Sequence, residues 1–252
     1  MSETGSVTFN LELSAGQRTI EASVAIPEAP MRVTGLLPVL FGFSNAISGM
    51  AEEEARQAAK PASCRAGCGA CCRQLVPVSE PEAEHLAALV AELPEERREQ
   101  IRERFRAAIA ALGEELAGRL RDIRNFPRME DRRAVGLAYF AKGVACPFLE
   151  NESCSIYEQR PLSCREYLVS SPPENCKDPG PGRIAPVPLP LKLSEVLYGF
   201  DEAGTGRGVR WIPLVLALDW AAAHADDMRR YAPGAKLFEG FLAHLASVTG
   251  DR

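Results

Sequence analysis

SCRAGCGACCRQ at residues 63–74 and CPFLENESCSIYEQRPLSCREYLVSSPPENC at residues 146–176 together contain every cysteine of this chain. The first set reads C-x3-C-x2-C-C and the second reads C-x7-C-x9-C-x11-C. Thiolates are soft ligands that favour zinc, copper(I) and iron–sulfur clusters over magnesium and calcium. We therefore interpret both sets as metal ligands: Cys64, Cys68, Cys71, Cys72, Cys146, Cys154, Cys164 and Cys176.

A disulfide framework is the main alternative to metal binding for so many cysteines. Such frameworks are typical of short secreted chains. This chain has 252 residues, and its start, MSETGSVTFNLEL, lacks the basic and apolar regions of a signal peptide. We therefore expect a cytoplasmic protein whose thiols stay reduced.

Composition places the chain among ordinary globular proteins that bury a core of their own, with 46% hydrophobic and 25% charged residues. The net charge of −5 argues against a phosphate-binding face, so no nucleic-acid partner is expected. The apolar run at residues 35–50 is shorter and more polar than a bilayer span of roughly 20 apolar residues, so no membrane partner is expected. The expected partner is a metal ion, and no protein partner is indicated.

The N-terminal residues alternate apolar and polar side chains at 7–13 and 19–26, on either side of the turn residues 14–17. This pattern predicts a β-hairpin. Residues 51–59 are rich in helix formers and lead into the first cysteine set. A short strand is predicted at 74–78.

Helices are predicted between the two cysteine sets. Ser79 and Glu82 form a capping-box pattern that begins a helix reaching about residue 93. After Pro94, one longer amphipathic helix is predicted, packed on the preceding helix as an αα-hairpin. Its apolar stripe comprises Ile101, Phe105, Ile109, Leu112, Leu116, Leu120 and Ile123. A further helix at 129–142 would return the chain to Cys146.

The C-terminal third begins with a proline-rich segment, 178–190, that is either a linker or a wrapped loop. Helices are predicted at 193–200, 213–231 and 235–248, and the glycine-rich residues 204–208 are interpreted as a turn. The three histidines, His85, His224 and His244, fall in predicted helices and are expected to be helix-surface or packing residues rather than ligands.

The predicted fold is mainly α with a small N-terminal β-hairpin (α+β), the helices surrounding a cysteine-rich metal centre. Residues 1–60 would form the hairpin and helical lead-in, 61–178 a metal-binding domain with a helical insertion at 79–142, and 179–252 a proline-rich link and helices that pack on the core.

Ligand chemistry leaves two kinds of centre open. Four thiolates around zinc form a closed tetrahedral site, whereas the same thiolates also hold iron–sulfur clusters. Because the neighbours Cys71 and Cys72 point in different directions, they are expected to serve different metals, and each metal is expected to draw ligands from both sets. Arg65, Arg73, Arg160 and Arg165 would offset the negative charge of such a centre.

The motifs at Cys64 to Cys72, with Cys146-Pro-Phe-Leu, Cys154-Ser-Ile-Tyr157, Arg160-Pro161 and Cys164-Arg165-Glu-Tyr167, resemble the YkgJ family of cysteine-cluster proteins. The resemblance covers about residues 64–167 and leaves Cys176 as an addition. It implies chelation of zinc or iron by a CxxCxxCC-type domain. A similar cysteine cluster occurs in flagellin lysine methylases, which keeps a methyltransferase function as an alternative.

Other functions stay open from the sequence. The spacing Cys64-x3-Cys68-x2-Cys71 also resembles the radical SAM motif, although Ala70 stands where that family usually has an aromatic residue. An iron–sulfur oxidoreductase or SAM-dependent enzyme is therefore one alternative. A thiol-based metal carrier or sensor is another.

Overall fold

A long antiparallel β-hairpin begins the computed structural model, which describes residues 5–15, 18–122, 129–178, 180, 182–201, 210–225 and 231–250. Its strands are β1 (Ser6–Ala15) and β2 (Arg18–Pro27), with Phe9 opposite Val24. The predicted hairpin is confirmed, and its strands extend through residues 14 and 15, which the sequence assigned to the turn. The other predicted turn residues, 16 and 17, lie outside the described residues.

Helix α1 (Leu37–Gln57) starts with Pro38 in its first turn and joins the apolar run to the predicted helix at 51–59. By length and composition alone, the stretch Val33–Gln57, which extends beyond the apolar run at 35–50, is long and apolar enough to cross a membrane. Core helices of soluble proteins meet the same criterion. One face of α1, including Leu40 and Ile47, is buried in the protein core.

The helices between the cysteine sets are α2 (Glu80–Ala91), α3 (Glu95–Leu112), α4 (Glu114–Arg121) and α5 (Met129–Ala141). The capping box at Ser79 and Glu82 is confirmed. The predicted single helix after Pro94 is wrong, because Gly113 has a φ of +78° and ends α3. The apolar stripe continues across this break, with Leu112 and Leu116 both buried, while Ile123 lies outside the described residues.

The remaining elements with named bounds are mostly short. They are β3 (Pro30–Met31), β4 (Pro77–Val78), β5 (Leu149–Glu150), β6 (Ser153–Cys154), α6 (Leu162–Glu166), α7 (Leu193–Gly199), β7 (Ile212–Pro213), α8 (Ala217–Ala223), β8 (Ala232–Pro233) and α9 (Gly234–Gly250). The predicted strand at 74–78 is reduced to β4, which pairs with β7. The predicted helix at 213–231 is also shorter, because residues 214–216 form a 3-10 turn and α8 ends at Ala223. Residues 204–208 lie outside the described residues.

Two hydrophobic cores organise these elements. The first is formed by helices α2, α3, α4, α5 and α8 and includes Leu86, Phe105 and Tyr139. The second joins the N-terminal hairpin, α1, α7 and α9. The segment 146–168 contributes Phe148 to the first core and Leu162 to the second, so the second cysteine set lies between them. The protein is mainly α with a small β part, as predicted.

The proline-rich segment wraps over the cysteine region. Val187 donates a backbone hydrogen bond to Leu168 (2.8 Å), and Ser170 donates one to Ala185 (2.8 Å). Val187 is buried beside Leu168. The wrapped-loop alternative for this segment is therefore the correct one.

Candidate metal centre

All eight cysteines line one cavity, whose volume is about 230 Å³. All eight are free thiols. The two cysteine sets, between which helices α2 to α5 lie in the sequence, are thus brought together in space.

Tight turns shape the first cysteine set. The amide of Cys68 donates to Arg65 O (3.1 Å) and the amide of Cys72 donates to Gly69 O (3.0 Å). Gly67 lies within the first of these turns at a φ of +82°, where glycine is favoured because it has no Cβ. Ser63 anchors this segment by donating its amide proton to Val169 O (2.8 Å). These bonds turn successive thiols toward the cavity.

The second set is distributed over short elements. Cys154 ends the β5–β6 hairpin, whose turn residues Asn151 and Glu152 have φ values of 50° and 60°. Such paired positive φ values are typical of a type I′ turn. Cys164 lies in α6, and Cys176 lies in the 3-10 turn Pro173–Lys177. Each element fixes one thiol.

The thiols fall into two groups within the cavity. Cys176 packs with Ala70 and Val169, and the partly buried Cys64, Cys68 and Cys71 lie against the same small cluster. Cys146, in contrast, packs on the first hydrophobic core and interacts electrostatically with Cys154, Cys71 and Cys164. Cys71 interacts with members of both groups. Thiols of both sequence sets therefore interact around Cys71.

Backbone amides reach several of the thiols. Val169 N–H donates to Cys64 Sγ (3.4 Å). Backbone hydrogen bonds from Phe148 to Cys146 and from Ile156 to Cys154 act to lower the pKa values of those two thiols. N–H···S bonds favour the thiolate form and orient a metal-binding sulfur. This arrangement suits thiolate ligands.

Burial opposes ionisation of the same thiols. It raises the pKa of Cys146 to about 12 and, assisted by neighbouring thiols, the pKa of Cys176 to about 11. For Cys71, the hydrogen bond with Cys72 is the main cause of a raised pKa, followed by burial. Several thiolates this close require a compensating cation.

Arg165 supplies one positive charge from within the protein. It is only 3% exposed, and its guanidinium donates to Asn45 Oδ1 (2.9 Å), Arg160 O (2.9 Å) and Glu158 O. All three acceptors are uncharged. Burial and the nearby Arg160 lower the pKa of Arg165. A buried arginine held by neutral acceptors is electrostatically suited to a negatively charged centre.

The other predicted arginines differ in position. Arg160 lines the cavity and stacks on the Tyr157 ring, with its guanidinium carbon 3.7 Å from the ring centroid. Arg65 also lines the cavity. Arg73 instead pairs with Glu152 at 2.6 Å, outside the cavity lining.

The comparison with known families agrees with this arrangement. Residues 63–179 match the CxxCxxCC family model, "Putative zinc- or iron-chelating domain". The matched segment supports metal binding and the chelating-domain family indicated by the motifs. No curated protein and no solved structure matches the chain.

The donor set of the CxxCxxCC segment fits a soft metal, although the thiols are not yet in ligand positions. Among the described residues, no three Cys, His, Asp or Glu side chains already form a group that could hold an ion. The fit rests on eight thiols around one cavity, on their amide hydrogen bonds and on Arg165.

The radical SAM alternative does not fit the fold around the CxxCxxCC segment. In the described part of the chain, each sheet contains two strands and each named pair is antiparallel. A barrel of parallel strands is therefore missing from these residues.

The histidines lie away from the cysteine cavity. His85 bonds Gln159 (3.0 Å), His224 stacks on Trp220, and His244 bonds Val196 O (3.2 Å). His224 follows the last residue of α8 rather than lying within a longer helix. The predicted packing role of these side chains agrees with these contacts.

Sequence reasoning missed a polar wall of the cavity formed by α1. Asn45, Ser48 and Glu52 line the cavity beside the thiols. Their spacing of three and four residues places them on one face of the helix. This polar stripe along one face of α1 is the sequence signal that could have identified them.

Proposed function

We propose that the protein chelates two zinc ions, each bound by four cysteine thiolates in the shared cavity. Four thiolates around zinc make a closed tetrahedral site, which in proteins is usually structural. Two such ions would connect the segment at 64–72 with the segment at 146–176. The proposed role is therefore a metal-chelating centre that fixes the fold.

The observation that carries this proposal is the lining of one cavity by all eight thiols. Burial raises the pKa values of several thiols, so they would not ionise together without a cation. Zinc replaces their protons, and Arg165 offsets part of the remaining negative charge.

The packing of the thiols favours a particular division of ligands. Cys64, Cys68, Cys71 and Cys176 share one small cluster and would bind the first ion. The remaining thiols, Cys72, Cys146, Cys154 and Cys164, would bind the second. The backbone bond from Cys146 N to Cys72 O (2.7 Å) supports placing those two residues in the same site.

The division of ligands is tested by two double variants that each remove two thiols. Cys68→Ser/Cys176→Ser takes both from the first proposed site, whereas Cys68→Ser/Cys154→Ser takes one from each. Zinc per chain, measured by plasma mass spectrometry after anaerobic purification, should be two in the wild type and one in the first variant. It should fall below one in the second variant. Equal zinc content in the two variants would refute this division.

The same sample decides between zinc and an iron–sulfur cluster. A colourless protein with two zinc ions supports the proposal. Iron with matching acid-labile sulfide and absorption near 400 nm would replace it with an iron–sulfur centre. A protein without metal would refute both.

Metal removal separates a structural centre from a metal carrier. Because a structural site couples metal release to unfolding, a strong chelator should lower the thermal unfolding temperature, and added zinc should restore it. Loss of zinc to a mild chelator with an unchanged unfolding temperature would instead favour a carrier.

A further inference from the structure

Cys176 lies outside the motifs that the other cysteines share, in the 3-10 turn Pro173–Lys177. It is 3% exposed and packs with Ala70 and Val169. A thiol on so short a turn can serve as a ligand only where the turn is fixed beside the other thiols. Its place in the metal centre therefore depends on the side chains that contact this turn.

The side chain of Gln74 connects the turn to the first cysteine set. Gln74 follows Cys72 by two residues, and its amide nitrogen Nε2 donates to Cys176 O at 3.1 Å. The same nitrogen donates to the hydroxyl oxygen of Tyr167 at 3.4 Å. Because a backbone carbonyl only accepts hydrogen bonds, the NH₂ end of the amide faces Cys176 O. Gln74 therefore fixes Tyr167 and Cys176 beside each other.

Tyr167 contacts two of the four thiols assigned to the first proposed zinc ion. Cys64 Sγ lies 3.9 Å from Tyr167 O. The hydroxyl oxygen accepts from Gln74, so the hydroxyl proton is available for a second bond. Burial raises the pKa of the Cys176 thiol, whereas a hydrogen bond with the Tyr167 side chain acts to lower it. A hydroxyl that donates to sulfur has this effect.

We propose that Tyr167 is a positioning residue of the metal centre: its hydroxyl, oriented by Gln74, donates to the Cys176 sulfur and directs that thiolate toward the first metal ion. Hydrogen bonds to a ligand atom fix its orientation and support its affinity for the metal. This role rests on the proposed function, because it concerns the ligands of the first zinc ion. It requires the hydroxyl to act on one metal ion and not on the other.

Cadmium-113 in place of zinc makes the two sites separately visible in the full chain. Wild-type protein loaded with ¹¹³Cd²⁺ should give two ¹¹³Cd NMR resonances, and Cys176→Ser should displace or remove the one from the first site. Tyr167→Phe, which removes only the hydroxyl, should shift the same resonance and leave the other in place. Competition with a chromophoric chelator should show zinc bound about 10–100-fold more weakly at one of the two sites.

Tyr198→Phe is the matched control, since it also removes a tyrosine hydroxyl that is hydrogen-bonded within the protein. Tyr198 OH donates to Pro77 O at 3.0 Å, a bond that involves no cysteine. This variant should leave both ¹¹³Cd resonances in place. Gln74→Met, which keeps the length of the side chain without its amide, should shift the first-site resonance in the same direction as Tyr167→Phe.

Failure of this role is distinguishable from failure of the two-zinc proposal. A single ¹¹³Cd resonance in the wild type would refute two separate sites, yet the role of Tyr167 would stand if Tyr167→Phe and Cys176→Ser both changed that resonance. Protein that binds no cadmium would refute both. The role is wrong if Tyr167→Phe leaves unchanged the resonance that Cys176→Ser affects. It is also wrong if Tyr167→Phe and Tyr198→Phe shift the resonances alike, because the hydroxyl would then act only through general stability.

Discussion

The amide of Cys146 donates a 2.7 Å hydrogen bond to the carbonyl oxygen of Cys72, which joins the two cysteine sets through their backbones. The same two segments meet again where Arg73 pairs with Glu152 at 2.6 Å. These two contacts hold the β5–β6 hairpin against the first cysteine set, and neither of them involves a cysteine side chain. Replacing a small residue at this contact with a larger one should therefore lower both the stability of the protein and its metal content.

Gly69 provides the first prediction. A Cβ atom at this position would lie 2.7 Å from Glu152 O and 2.5 Å from Leu149 Cδ1. Because a backbone atom cannot move away easily, Gly69→Ala should lower the free energy of unfolding by about 2–3 kcal/mol. Zinc content should also fall, since the two ligand sets are pushed apart. Urea unfolding and metal analysis measure the two effects.

Gly67→Ala is the matched control for that variant. Gly67 has a φ of +82° but open space around the position of its missing Cβ. Only backbone strain of about 1 kcal/mol is expected there. If Gly67→Ala destabilises the protein as much as Gly69→Ala, close packing is not the reason for glycine at 69.

Glu82 provides the second prediction, because it connects α2 to the segment that carries Cys164. Its carboxylate accepts hydrogen bonds from Ser79 N, Ser79 Oγ and Leu162 N, each at 2.7 Å. Burial raises its pKa, and the bonds from Ser79 and Leu162 oppose that rise. Glu82→Gln replaces one accepting oxygen with an NH₂ group that faces donors, so unfolding free energy at pH 7 should fall by about 1–3 kcal/mol.

The control for Glu82→Gln is Glu53→Gln, a change of the same size on the exposed surface of α1. Glu53 pairs with Arg56 three residues along the helix, at 2.5 Å. Exposed pairs contribute little to stability, so urea unfolding should show no measurable change. An equal loss in both variants would show that the buried network around Glu82 has no special role.

Much of the architecture follows from local sequence signals. The alternation in β1 and β2, the capping box at Ser79 and the crowding of thiols each predict a feature that the structure contains. These signals succeed because they depend on neighbouring residues or on ligand chemistry.

The misses have a common physical origin in long-range packing. A continuous apolar stripe does not reveal that Gly113 takes a positive φ and breaks the helix. The sequence places Arg165 near the metal but does not show that it is buried, with its guanidinium bonded to Asn45, 120 residues away.

Arg165 provides the third prediction, on metal affinity. Arg165→Met keeps an apolar side chain of comparable length over the Phe41 ring, which the guanidinium now covers at 4.3 Å. Removing its positive charge should weaken zinc binding by about 10–100-fold, as loss of a supporting residue around a metal site typically does. Competition with a chromophoric chelator measures the dissociation constant.

Arg73→Met is the matched arginine control. Arg73 directly follows Cys72 but pairs with Glu152 outside the cavity lining. Its removal should leave zinc affinity within about twofold of wild type, because an exposed ion pair contributes little. Equal weakening by the two variants would mean that general positive charge, rather than the buried position of Arg165, supports the metal.

His85 provides the last prediction, on the pH dependence of stability. Burial lowers its pKa from the ordinary value of 6.5, while the bond to Gln159 acts in the opposite direction. The unfolded chain therefore binds a proton at His85 at a higher pH than the folded chain does. Stability from this residue is fully present above pH 6.5 and is lost as the pH falls from 6.5 toward the lower folded pKa.

His85→Gln keeps a polar side chain near Gln159 and does not titrate. Urea unfolding at pH 7.5 and 5.5, at one fixed zinc concentration, should show a smaller loss for the variant than for the wild type. Equal losses at the lower pH would show that His85 carries no part of the pH dependence.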